Sequence, residues 1–199
     1  MLAAMRHATL DVIHEEHQAL AAMLRSLSLL LAQARREGHL PDFSVLRAML
    51  FYVDEFPERL HHRKESELLF PALLRRAPEF GEVVAKLERD HASGERAIRD
   101  LQHALLAFEV LGEPRRADFE REVEQYVRSY LEHMGVEESE ILPAARRLFS
   151  DADWSALDAA FAANKDPLTG HDAPPDYAPL FHKIVMTAPA PIGLGPAGS

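Results

Sequence analysis

The chain has 199 residues, 47% of them apolar and 27% charged, with a net charge of -10 at pH 7 and no Cys. This length suits one buried core with an appendage rather than two ordinary domains, and the acidic balance argues against nucleic acid, whose phosphates want a basic stripe. Without Cys there are no disulfides, thiolate metal sites or thiol nucleophiles, and a cytoplasmic protein with no membrane partner is expected, because MLAAMRHATLDV has no signal-peptide core and no apolar run approaches the ~20 residues of a span.

Thr9 is the expected N-cap of a first helix. From it Leu10, Ile13, His17, Leu20, Leu24, Leu27 and Leu31 follow the alternating three-and-four spacing of a bundle seam, with His17 in an apolar position. Gly38 and Pro41 end the pattern. A second helix is expected from after Asp42 to about Arg76, kinked or broken at Pro57 and again at Pro71, where the ring removes an N–H. A third runs from about Phe80 to Leu111, with Val84, Leu87, His91, Gly94, Ile98, Leu101 and Leu105 as its seam. The fourth, about Ala117 to Leu148, carries Phe119, Val123, Tyr126, Tyr130, His133, Glu137 and Ile141 on one face.

After Ser150, Trp154, Leu157 and Phe161 suggest a short fifth helix, 151–163. Residues 164–199 are rich in Pro and Gly, with a brief helix expected from Tyr177 to Met186 that docks through Leu180, Phe181 and Ile184. The closing GLGPAGS is expected to be disordered. The whole is an all-α, antiparallel up-down-up-down four-helix bundle over 1–163, followed by a C-terminal extension.

One stretch occurs twice. HHRKESELLFP, from His61 to Pro71, returns as HMGVEESEILP, from His133 to Pro143, so that Glu65 matches Glu137 and each copy reads His-x-x-x-Glu before an apolar run. Residues four apart share a helix face, which points an imidazole and a carboxylate at one place. With 20 Glu, the 11 His should give about one such pair by chance; three occur, the third being His91 with Glu95. Counting along antiparallel helices sets the depth. His17 lies about 20 residues, or ~30 Å, from the end of its helix, and His61 about 18, or ~27 Å, from the start of its own. The same count across the other turns brings His91 and His133 to that level.

His17, His61, Glu65, His91, His133 and Glu137 thus form one inward layer, which is costly to bury without a compensating ion. Imidazole and carboxylate without thiolate suit iron, manganese or zinc, and six ligands exceed one tetrahedral zinc but serve two ions. Tyr52, His62 and Glu95 are further candidates, as extra ligands or as groups that hold a ligand. Tyr52 is nine residues before His61, nearly opposite on a regular helix, unless the Pro57 kink turns its phenol inward. His7, His14, His39, His103, His171 and His182 are read as solvent-facing. Leu69, Phe70, Ile141 and Leu142 are read as core.

From about His14 to Phe149 these residues resemble the hemerythrin, or HHE cation-binding, family. The resemblance implies that His17, the His61 and Glu65 pair, His91, and the His133 and Glu137 pair hold two irons, oxo- or hydroxo-bridged, with manganese or zinc ranking behind. It also implies a small ligand, O2, peroxide or NO, and leaves open a peroxidase- or catalase-like turnover. The oxygen-carrying members have a second His where this chain has Glu95, and an Asp five residues beyond the helix-four His, where this chain has Glu138. Peroxide or NO chemistry therefore gains over reversible O2 storage. Two other readings are a sensor module that signals through helix packing and the extension, and a ferritin-like site built on Glu58 with His61 and Glu88 with His91. The latter ranks lower, because those matches fall on adjacent helices.

Overall fold

A computed structural model describes residues 7–190 and 192–195. The chain is an all-α bundle, with no strand among the described residues. Helix α1 (Ala8–Glu37) begins after His7, not at Thr9. Thr9 gives its N–H and its hydroxyl to Asp158 Oδ1, at 2.8 and 2.7 Å, so a carboxylate from a later helix satisfies the exposed start of α1. Gly38 closes α1 in the left-handed region, φ 70°.

The second rod is continuous from α2 (Phe43–Val53), capped by the Asp42 carboxylate, through α3 (His62–Lys64) to α4 (Phe70–Arg76). Neither Pro57 nor Pro71 breaks it. Wide π-helical turns span Asp54–His61 and Glu65–Leu69 instead. Helix α5 (Gly81–Leu111) is the third rod. The fourth is α6 (Arg116–Val136), a π turn over Glu137–Ile141, and α7 (Leu142–Leu148). Short connections make neighbouring rods antiparallel, and the four close into a ring in which α1 meets both α2 and α6.

Helix α8 (Asp151–Phe161) starts at a capping box formed by Ser150 and Asp153. It lies against α1, burying Trp154, Leu157 and Phe161. Helix α9 (Ala178–Thr187) buries Phe181 and Ile184 against the bundle, while Leu180 stays half-buried. In the closing GLGPAGS, Leu194 N–H reaches Val185 O at 2.7 Å and Gly195 N–H reaches Ala188 O at 2.9 Å, so this turn folds back on α9. The part of the expected disorder from 196 onward lies outside the described residues.

Two apolar clusters fill the interior. One holds Leu24, Leu46, Met49, Leu101, Phe119 and Phe181; the other holds Ile13, Phe70, Leu87, Ile141, Trp154 and Phe161. A buried polar layer of His and Glu lies on the rods between them. Among the described residues no helix is long and apolar enough to cross a membrane.

Candidate metal centre

The repeated stretch builds the same local structure twice. A Pro lies six residues after each Glu of the repeat, and its ring would meet the carbonyl four residues back in a regular α-helix. The chain relieves this by widening the turn. Phe70 N–H bonds to Glu65 O and Leu142 N–H to Glu137 O, five residues apart rather than four. Both inward carboxylates therefore stand at the first residue of a π turn, one turn above their His. His17 and His91 come from the two uninterrupted rods, at seam positions flanked by Ile13 and Leu20 and by Leu87 and Gly94.

The four imidazoles meet in two pairs. His17 Nε2 is 3.2 Å from His61 Nε2, and His91 Nε2 is 3.1 Å from His133 Nε2. Each carboxylate spans the pairs. Glu65 puts Oε1 3.1 Å from His61 Nε2 and Oε2 3.5 Å from His91 Nε2, and Glu137 puts Oε2 3.3 Å from His17 Nε2 and Oε1 3.2 Å from His133 Nε2. Both Glu are fully buried, and none of their four oxygens has a hydrogen-bond partner, since these approaches are poorly aligned. Each orphaned buried carboxylate oxygen costs about 1–3 kcal/mol or more, and a native fold carries few of them. Two cations, each facing two nitrogens and one oxygen of either carboxylate, would answer that cost.

The outward nitrogens are engaged elsewhere. His61 Nδ1 is 2.7 Å from Glu16 Oε2, and His17 Nδ1 is 3.1 Å from Glu138 Oε1. His91 Nδ1 is 3.1 Å from Ser66 Oγ, whose hydroxyl donates to Glu88 at 3.0 Å. His133 Nδ1 lacks a hydrogen bond, with Asp90 Oδ2 at 3.6 Å. A proton kept on Nδ1 leaves the Nε2 lone pair facing inward, the arrangement that acidic partners impose on metal-binding imidazoles.

Electrostatics agree. Burial opposes a charged His61, but Glu65 and Glu16 overcome it and hold its pKa well above the usual 6.5. Burial is likewise outweighed at His17 by Glu137 and Glu138, and at His133 by Glu137, and both are raised. Burial would lift the pKa of Glu65, yet His61 and then His91 depress it well below 4.5. Glu137 is pushed up by burial and by Glu65, but His133 and His17 bring it below 4.5. Without an ion, protons supply the positive charge that the layer requires.

The six residues of the predicted layer come together, in two overlapping groups. One is His17, His61, Glu65 and Glu137; the other is His62, Glu65, His91 and His133, each with candidate ligand atoms within 4.8 Å of one another. His62 is buried, and its ring lies face to face with His91, centroids 4.1 Å apart and planes at 14°, with Tyr130 at 5.6 Å. A ring lone pair lies in the ring plane, so the stacking sets the His62 and His91 lone pairs nearly parallel, and one of the two rings would turn for both to face one ion. Burial and the charges of His91, His61 and His133 lower its pKa well below 6.5.

Two candidates go elsewhere. Tyr52 does turn inward, but its phenol donates to Asp166 at 2.5 Å. Glu95 is exposed and lies 3.6 Å from Arg99, because it falls one position past the seam residue Gly94. His7 departs from the expected exposure, being half-buried and stacked on Trp154 at 4.1 Å. The other five His read as solvent-facing are exposed.

Glu16, Glu88, Asp90 and Asn164 lie outside the repeated stretch, and Ser66 lies within it opposite Glu138, so the repeat marks none of them. Asn164 Nδ2 donates to Glu16 Oε2 at 3.1 Å and Asn164 Oδ1 accepts from Lys64, so the segment after α8 supports the partner of His61. On the opposite side, between α5 and α6, a cavity of about 630 Å³ reaches His62, His91 and His133.

The family model described as "Hemerythrin HHE cation binding domain" matches residues 8–145, more than half of the chain. A search of curated proteins found no match.

Proposed function

The chain belongs to the hemerythrin HHE cation-binding domain family, and on that premise we propose that it is a non-haem di-iron protein that binds O2 or a related small oxidant, peroxide or NO. One observation carries the reading. Two buried carboxylates each offer one oxygen to each of two imidazole pairs, and nothing else satisfies those oxygens. His17 and His61 would hold one ion, His91 and His133 the other, and Glu65 and Glu137 would join them. An iron pair supplies redox equivalents and exchangeable coordination.

The chain's own residues do the rest. Glu16 and Glu138 keep protons on the Nδ1 atoms of His61 and His17, and Ser66 relays the same hold from Glu88 to His91. Phe70 stacks beside His91 at 5.7 Å, and with Leu69 and Ile141 it keeps bulk water off that end. The cavity between α5 and α6 leaves the His91 and His133 side as the approach for a small molecule.

Metal analysis joined to visible spectra of the reduced protein, exposed separately to O2, peroxide and NO, tests this. About two irons per chain and an oxidant-dependent spectrum are expected. Zinc alone after growth in iron-supplemented medium would count against it.

A sensor reading keeps one specific support. The segment after α8 touches the centre through Asn164, Glu16 and His61, a route by which metal or oxidant occupancy reaches the C-terminal extension. It predicts that protease cleavage after Lys165 differs among metal-free, reduced and oxidised protein; identical cleavage removes it.

A further inference from the structure

The cavity between α5 and α6 is larger than a small oxidant requires. At about 630 Å³ it falls within the roughly 300–1,000 Å³ of pockets that take organic molecules, whereas one water occupies about 30 Å³. It is also long. Its α6 wall runs from Glu122 to His133, which is ~16 Å at ~1.5 Å per residue.

That wall is a ladder. Glu122, Tyr126 and Tyr130 follow at four-residue steps on one face of the helix, and His133 ends the row at the centre. The tyrosine rings are buried, with centroids 4.8 Å apart, and Tyr130 also stacks on His62. Ala97 of α5 lines the same space. Carboxylates prevail in its lining: Asp90, Asp100, Glu122 and Glu132 stand against a single Lys, Lys86, which is 2.6 Å from Asp90. A cleft lined by one sign of charge draws in the opposite sign, and a cation or an aromatic ring is favoured over tyrosine faces.

We propose that this cavity binds a flat phenolic amine, an aromatic reductant with a cationic tail. Its ammonium lies toward Glu122, its ring against Tyr126 and Tyr130, and its phenol toward His133 and His62. Resting on the di-iron reading above, this molecule is the electron donor for peroxide reduction. Two phenols each lose one electron and one proton to become phenoxyl radicals. Hydrogen peroxide takes up both electrons and both protons, its O–O bond breaks, and two waters form.

Tyramine and 4-hydroxyphenylacetate share the ring and differ in the sign of the tail. Their binding to the zinc-loaded protein, where no electron transfer follows, is read by calorimetry. Tyramine is expected to bind at least about tenfold tighter than the acid. Glu122→Gln should weaken tyramine several-fold, and Ala97→Trp, which fills the cavity, should abolish binding while metal content is unchanged. Equal binding of the two probes, no saturable binding, or tyramine affinity indifferent to both variants overturns the site.

With iron and peroxide, tyramine should be oxidised faster than the acid, and Ala97→Trp should remove that advantage. Tyramine binding without oxidation leaves the site standing and overturns the donor role. An oxidant-responsive iron spectrum without tyramine binding overturns this proposal and leaves the di-iron reading intact.

Discussion

Each inward imidazole has one nitrogen for the centre and one held or approached from outside, and it is the outer hold that decides how strongly the inner one binds. Glu16 is the clearest case, because it accepts from His61 Nδ1 at 2.7 Å and from Asn164 at 3.1 Å. Glu16→Ala should lower metal affinity by roughly 10- to 100-fold with the helical content unchanged, measured by chelator competition and circular dichroism. The pKa shifts give a second prediction. His17, His61 and His133 are raised above 6.5, so in the metal-free protein their stabilisation is fully present below pH 6.5 and is lost as pH rises through their folded values. His62, lowered, works the other way below 6.5, but alone against three. Glu65 and Glu137, lowered from 4.5, stabilise above that value and lose this as pH falls through their folded values. As pH rises above 6.5 through those folded values the metal-free Tm should therefore fall, while the Tm gain on adding metal grows, since the ion displaces protons. A metal-free Tm that rises over that range would contradict the charge assignment. The layer itself was legible because His61 and Glu65 recur as His133 and Glu137 and because His17 and His91 interrupt apolar seams. Ser66, Asp90 and Glu16 were not, because an acid or hydroxyl beside a ligand looks like any solvated helix residue until the facing rod is known.

At the scale of the element, Pro143 and Pro71 trade helix stability for placement. Sequence pattern anticipates a kink or break wherever Pro enters a helix, and both Pro57 and Pro71 lie in an unbroken rod. What pattern does not give is how the strain is relieved, since a wide turn and a kink begin from the same missing N–H. Pro143→Ala removes the reason for the π turn over Glu137–Ile141. Denaturant unfolding of the metal-free variant should show a gain, bounded by the ~3 kcal/mol a Pro costs inside a helix. Metal affinity should fall at the same time, by about tenfold or more, as Glu137 moves off its place between His17 and His133. A variant that gains stability and keeps its affinity would mean that the wide turn does not place the carboxylate.

For the whole molecule, the four rods and both short C-terminal helices followed from apolar spacing and from Gly and Pro punctuation. The tie between the chain's end and its centre did not, because Asp166 meets Tyr52 and Asn164 meets Glu16 only after the bundle has closed. Asp166 and Asn164 lie beyond residues 8–145, where the family match ends. Asn164→Ala should speed release of metal to a chelator several-fold while leaving the stability of the metal-free protein within about 3 kcal/mol, as its two side-chain hydrogen bonds warrant. Unchanged release would show that Glu16 needs no support from that segment.

The interior holds two separate oily bodies with an ionic plane between them. Cooperativity across such a plane has to be carried by whatever neutralises it. Bound ions would rivet the upper and lower halves into a single unfolding unit; stripped of them, the halves are joined there only by the pairing of imidazoles with carboxylates, which weakens as the imidazoles lose their protons. Amide hydrogen exchange of the stripped protein should accordingly sort into two blocks with different protection, meeting near His17, His61, His91 and His133, and the blocks should merge when the ions return.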